Sequence, residues 1–170
     1  MNVPSPHGAA AIAVIAIGNP YRLDDAAGPV VLAALQPRFA GDPRVRLVEL
    51  DGEPVRIVQS WAGCDAVIIV DAVRSNAPAG TIHRFGADEI HAAAGDGIAL
   101  GGGHLLGVAD AIELARAMGT LPPSLLVIGI EGEQYGLGEG VGPAVAEACR
   151  AVAAEVGTTI HGRLQQPNTT

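Results

Sequence analysis

Lysine is absent from the 170 residues, and all ten basic side chains are arginines. That absence removes whole classes of chemistry. A P-loop needs a lysine to reach the phosphates, and Schiff-base catalysis needs a side-chain amine. Aromatic residues are scarce at 3%, so the core has to be built from Ala, Val, Ile and Leu. Only two cysteines occur, Cys64 and Cys149, far apart and without Cys-x-x-Cys spacing. They supply neither a disulfide framework nor a thiolate metal site, and they fit two buried thiols in a reducing cytoplasm. The nucleophile-elbow, His-Glu-x-x-His and dinucleotide glycine motifs are missing as well. Basic clusters are lacking too: scattered arginines and a net charge of −8 offer no stripe for nucleic acid and no attraction to an anionic membrane. The apolar run Ala9–Ile17 is too short to span a bilayer, and Met1–Gly8 ahead of it carries no Lys or Arg, so a cytoplasmic protein is expected.

What is present is 49% hydrophobic residues in one chain of single-domain length, enough to bury a substantial core. One domain over 1–170 is expected, with flexible ends at 1–10 and 158–170. Short β-branched runs alternate with Ala-rich helical stretches. This predicts a three-layer α/β/α fold around a mostly parallel twisted sheet of about five strands. The strands are read at Ile12–Ile17, Val45–Leu50, Ala66–Val70 stopping on Asp71, Thr81–Phe85 as an edge, and Ser124–Ile130. Helices are expected from Gly28 to a stop at Pro37, over Val55–Trp61, over Leu105–Met118, and over Gly140–Ala154 with Pro143 in its first turn. No long apolar surface helix demands a partner, so a monomer is expected.

Open α/β sheets bind ligands beyond the carboxyl ends of their strands. The residues that fall there are Asp24 and Asp25 after the first strand, Asp71 after the third, and His104 behind Gly101–Gly103 before the long helix. Glu131 and Glu133 follow the last strand. Asp24 reads equally as a helix cap and as a functional acid. Asp71, following buried aliphatics, needs a partner or a metal to offset its desolvation. Glu131 and Glu133 read as solvated loop acids, while His7, His83, His91 and His161 carry no assigned role. Two carboxylates and an imidazole make an open three-ligand site suited to nickel, zinc or copper. Without a metal, the same carboxylates make a pair for general acid–base work. Residue types alone leave both open.

These residues sit within text that resembles the hydrogenase maturation proteases: Ile17-Gly18-Asn19-Pro20, Asp24-Asp25 and Gly28, then Ile68-Ile69-Val70-Asp71-Ala72, then His104-Leu105, then Val127-Ile128-Gly129-Ile130-Glu131. The resemblance runs in order from Ile12 to about Val156, a peptidase-like core over 12–156. It implies an aspartic-type endopeptidase that removes the C-terminal extension of a nickel-loaded large-subunit precursor of a nickel–iron hydrogenase. It further implies that Asp25, Asp71 and His104 bind the precursor's nickel, a site that zinc or cadmium would also fit. Two departures stand out. Ala26 replaces a glycine common after the acidic pair, and Asp51-Gly52-Glu53-Pro54 replaces the more usual Asp-Gly-Gly-Thr. The rival readings are a receiver-like phospho-acceptor domain and a non-catalytic nickel chaperone. A receiver would place paired acids and Asp71 similarly, but it requires a lysine that this chain lacks, and it leaves His104 unexplained.

Overall fold

The first strand, β1 (Ile12–Ile17), consists of six consecutive apolar residues, all buried. A central parallel strand, covered on both faces, needs this composition. The computed structural model describes residues 12–95, 99–100 and 105–165. β1 pairs in parallel with β2 (Val45–Leu50) on one side and with β3 (Ala66–Arg74) on the other. β6 (Ser124–Glu131) extends the parallel sheet next to β3, and β4 (Ile82–Gly86) closes that edge antiparallel to β6. The order is β2-β1-β3-β6-β4, with the two-residue β5 (Ala99–Leu100) pairing antiparallel with the outer end of β3. The expected architecture, mostly parallel and of about five strands, is what forms, with β5 added.

Alternate residues of the central strands feed two cores. Ile12, Val14, Ile68 and Val70 pack with α1 (Ala27–Phe39) and α5 (Pro143–Gln165). Ala13, Ile15, Val67 and Ile69 pack with α2 (Pro54–Ser60), with Ile90 of the short α3 (Ile90–Gly95), and with α4 (Leu105–Met118). Three layers result, and Trp61 is the largest fully buried side chain.

Several boundaries differ from the sequence expectation, and four of them have a clear physical reason. α1 continues through Pro37 to Phe39, because proline this late removes one backbone bond while the buried Phe39 holds the last turn in the core. β3 does not stop at Val70: β6 pairs with it as far as Val73 and β5 takes up its other edge, so its backbone groups stay satisfied through Arg74. Asp71 therefore lies within a strand. β6 likewise ends one residue later, at Glu131. The tail expected to fray from Gly157 is helical to Gln165, since Val156 and Ile160 are buried against α1 and His161 meets the Phe39 ring edge-on at 5.1 Å.

β1 leads through α1 to β2 on one side, whereas β3 leads towards β6 on the other, so the sheet's switch point falls between β1 and β3. The first turn of α1 sits directly on that point. A Cβ on Gly28 would come within 2.5 Å of the Ile17 carbonyl oxygen and 2.6 Å of that of Val70. On the opposite face the first turn of α4 is equally close to the chain after β2, where a Cβ on Gly107 would lie 2.0 Å from the Gly52 carbonyl oxygen. Gly28→Ala is expected to cost about 1–3 kcal/mol by overpacking. Gly41→Ala, with nothing within 4 Å, should change stability by less than about 0.5 kcal/mol. Urea unfolding of both variants checks the contrast.

Candidate active site

The chain leaves β1 through a turn at Gly18-Asn19-Pro20 and enters a 3₁₀ turn, Leu23–Ala26, which carries Asp24 and Asp25. Both side chains are buried, yet they do different things. Asp24 spends both oxygens on backbone: Oδ2 accepts from the N–H groups of Glu133 and Gln134 at 2.9 Å each, and Oδ1 from that of Gly142 at 2.8 Å. It is a clamp on the loop between β6 and α5. The structural half of the Asp24 reading thus takes the form of a loop clamp and not of a helix cap.

Asp25 is 1% exposed, and its Oδ2 accepts from the Asn19 N–H at 3.0 Å while its Oδ1 is buried with no partner among the described residues. Asp71 is 0% exposed, and its Oδ1 accepts from the N–H of Ala72 at 2.8 Å while its Oδ2 is likewise buried with no partner among them. Within that set, two buried acids each keep one oxygen unsatisfied, a costly arrangement that structural groups avoid. Burial, and then the charge of Asp25 nearby, push the Asp71 carboxyl well above the usual carboxylate range; the Ala72 N–H opposes this only in part. Both effects favour the protonated form of Asp71.

Strand alternation sets Asp71 on the same face as Ile69 and Val73, the side packed by α2 and α4. α4 begins at Leu105, and His104 lies outside the described residues. Of the three residues read as a nickel site, Asp25 lies near enough to Asp71 for its charge to act on that carboxyl. Among the described residues no group of three His, Cys, Asp or Glu is placed to hold a metal.

Glu131 corrects the expectation of a solvated acid. It is 1% exposed, accepts from the Ser75 N–H at 2.6 Å and from the Ser75 hydroxyl at 2.8 Å, and lies 3.1 Å from His83 Nε2. His83, given no role from sequence, sits on β4 opposite Gly129 and completes this cluster. Ser75 and His83 both bond to the carboxylate and not to each other, so no activated serine arises. The only sequence sign was the Glu at the end of an apolar run, and its meaning depends on β3 continuing far enough to bring Ser75 alongside. Glu133 is exposed, as expected. Both cysteines are buried and free, and burial raises their thiols, that of Cys149 to about 11. Neither is a nucleophile at neutral pH.

The family model for hydrogenase maturation protease matches residues 29–158. The hydrogenase 2 maturation protease of Escherichia coli (strain K12) is 29% identical over 121 residues, 70% of this chain and 71% of that protein. The hydrogenase expression/formation protein HupD of Thiocapsa roseopersicina is also 29% identical over 121 residues, 71% of this chain, which spans about half (53%) of that longer relative. Among solved structures, the hydrogenase maturating endopeptidase HybD from E. coli superposes with a TM-score of 0.78 at 25% identity, covering 89% of this chain and 92% of the other. The [NiFe] hydrogenase maturation protease HybD from Thermococcus kodakarensis shares the fold at a TM-score of 0.72 and 23% identity, covering 88% and 97%. The family model covers well over half of the chain, and the chain belongs to the hydrogenase maturation protease family.

Proposed function

We propose that this chain is an endopeptidase that removes the C-terminal extension of a nickel-loaded large-subunit precursor of a nickel–iron hydrogenase, and that it recognises the precursor through its nickel. The observation that carries this reading is the pair of buried carboxylate oxygens at the switch point, Asp25 Oδ1 and Asp71 Oδ2, that have no partner among the described residues. A buried oxygen without a donor has a use for a cation. His104, one residue ahead of α4, is the third member, and a mixed oxygen and imidazole set suits nickel better than magnesium or calcium. The nickel belongs to the substrate and arrives with it. Capture requires Asp71 to give up its proton, so gripping the client is coupled to pH.

The raised proton affinity of Asp71 also favours a second role for the same residues. Here Asp25 takes a proton from the attacking water while Asp71 gives one to the departing amide nitrogen, the aspartic-type route. The two roles separate by experiment. Purified protein incubated with nickel-loaded precursor should shorten it, as read by product mass. Asp25→Asn, Asp71→Asn and His104→Ala should each slow this by about 100-fold or more. Variants that serve only the nickel grip lose precursor binding along with cleavage, whereas acid–base variants still bind. Full-rate cleavage by all three variants would sink the assignment, and binding without shortening would mark a chaperone.

Stability should move in opposite directions at the two neighbouring acids. Asp24→Ala strands three backbone N–H groups and is expected to cost about 2–4 kcal/mol. Asp71 holds its proton in the metal-free fold at pH values where the unfolded chain has lost it. The folded state then binds more protons, and stability falls as pH rises past about 4. Asp71→Asn removes that penalty. Its Tm should exceed wild type at pH 7, with the gap closing as the pH drops below about 4, measured by thermal unfolding across pH.

A further inference from the structure

A second feature lies at the same end of the sheet and takes no part in the acid pair. The loop from β3 to β4 and the loop after β6 enclose a groove of about 430 Å³, lined by Arg74, Asn76–Ala79 and Glu131–Glu133. This volume falls in the range of ligand clefts, roughly 300–1,000 Å³. Its walls are fixed in advance. Glu131 ties them together through its side chain to Ser75 and His83, and through its backbone, which accepts from Gly80 N–H and donates to Thr81 O at 2.8 Å each. The Arg74 guanidinium is held 4.3 Å above the Tyr135 ring. Tyr135 is itself anchored by its hydroxyl donating to the Val73 carbonyl at 2.6 Å, and burial pushes that phenol up to about 12, so it stays a neutral platform. Among the described residues Arg74 has no acidic partner, although Glu133 lines the same groove. An arginine oriented on an aromatic ring, left unpaired beside a preformed groove, is suited to a carboxylate.

Arg74 follows Asp71 by three residues on β3, a backbone span of roughly 10 Å at about 3.3 Å per strand residue, and strand alternation turns its side chain to the opposite face of the sheet, over Tyr135.

We propose that this groove binds the client's peptide on one side of the scissile bond, and that Arg74 reads a carboxylate on that peptide. The occupant's identity rests on the protease reading above; the carboxylate chemistry rests on the groove itself. Glu133 on the same wall repels a second acid and so limits the site to one.

The test uses short N-acetylated, C-amidated peptides of valine and alanine containing one aspartate, the matching asparagine peptide, and an uncharged peptide with a free C-terminal carboxylate. Binding is followed by amide NMR shifts of Asn76, Ala77, Ala79, Gly132 and Glu133. The aspartate peptide, the free-carboxylate peptide or both should titrate these amides, distinguishing a side-chain from a terminal acid. Binding of whichever carboxylate peptide titrates should be about tenfold tighter than that of the asparagine peptide, weaken about tenfold for Arg74→Gln, and tighten for Glu133→Gln. Equal shifts with the asparagine peptide and both carboxylate-bearing peptides, no shifts with any, or equal losses in both variants would overturn the proposal. With precursor as substrate, Arg74→Gln should raise KM about tenfold and leave kcat unchanged. An unchanged KM alongside wild-type cleavage removes the groove inference and leaves the protease reading standing. A wild-type protein that fails to cleave removes the protease reading, while the peptide titration still decides whether the groove takes a carboxylate.

Discussion

Two buried carboxyl groups close enough for one to feel the other's charge, each with one oxygen unsatisfied among the described residues, are the constraint around which the rest of this molecule is arranged. Like charges in a dry site oppose one another, and burial alone already disfavours ionisation. Folding must therefore supply enough favourable burial elsewhere to hold Asp25 and Asp71 in place. The supply comes from β1 and β3, whose aliphatic residues are sealed by helices on both faces. The proximity of the acids comes from the switch point, where the first turn of α1 lies against the ends of both strands with no room for a side chain at Gly28. Such a local cost is typical of functional sites, where stability yields to a prepared charge arrangement.

The neighbouring polar groups are organised so that this cost stays confined. Asp24, adjacent in sequence, has both oxygens bonded to backbone and fixes the loop after β6. Glu131 at the end of β6 is satisfied by Ser75 and His83 and fixes the loop after β3. Four buried acids are found among the described residues, Asp24, Asp25, Asp71 and Glu131. Two of them act as structural pins, and two retain a free oxygen. That division of labour makes the acid pair a better candidate for chemistry than burial alone would.

The sequence exposed those parts of the fold that depend on local pattern. β1 was legible because a strand buried on both faces must be apolar throughout, and α4 because its apolar residues recur at helical spacing. The acids at the carboxyl ends of the strands followed from topology, without any view of side chains. What it concealed depends on partners distant in the chain. Whether β3 stops at Val70 or runs to Arg74 is decided by β6 and β5, so Asp71 looked like a strand terminus when it lies inside one. Glu131 looked solvated because Ser75, 56 positions away, is what satisfies it. The end of α5 looked polar because Val156 and Ile160 are isolated apolar positions whose worth appears only against α1. Asp24 and Asp25 could not be told apart from sequence, since adjacent residues of one turn face different surroundings.

The acid pair itself is open to direct observation by carboxyl ¹³C NMR of the aspartate-labelled, metal-free protein as pH is varied. Asp71 should titrate well above the ordinary carboxylate range, and Asp25→Asn should bring it part of the way down, because burial remains after the neighbouring charge is gone. An Asp71 resonance that titrates near pH 4 in the wild type, unmoved by Asp25→Asn, would contradict a buried, coupled pair prepared for a cation.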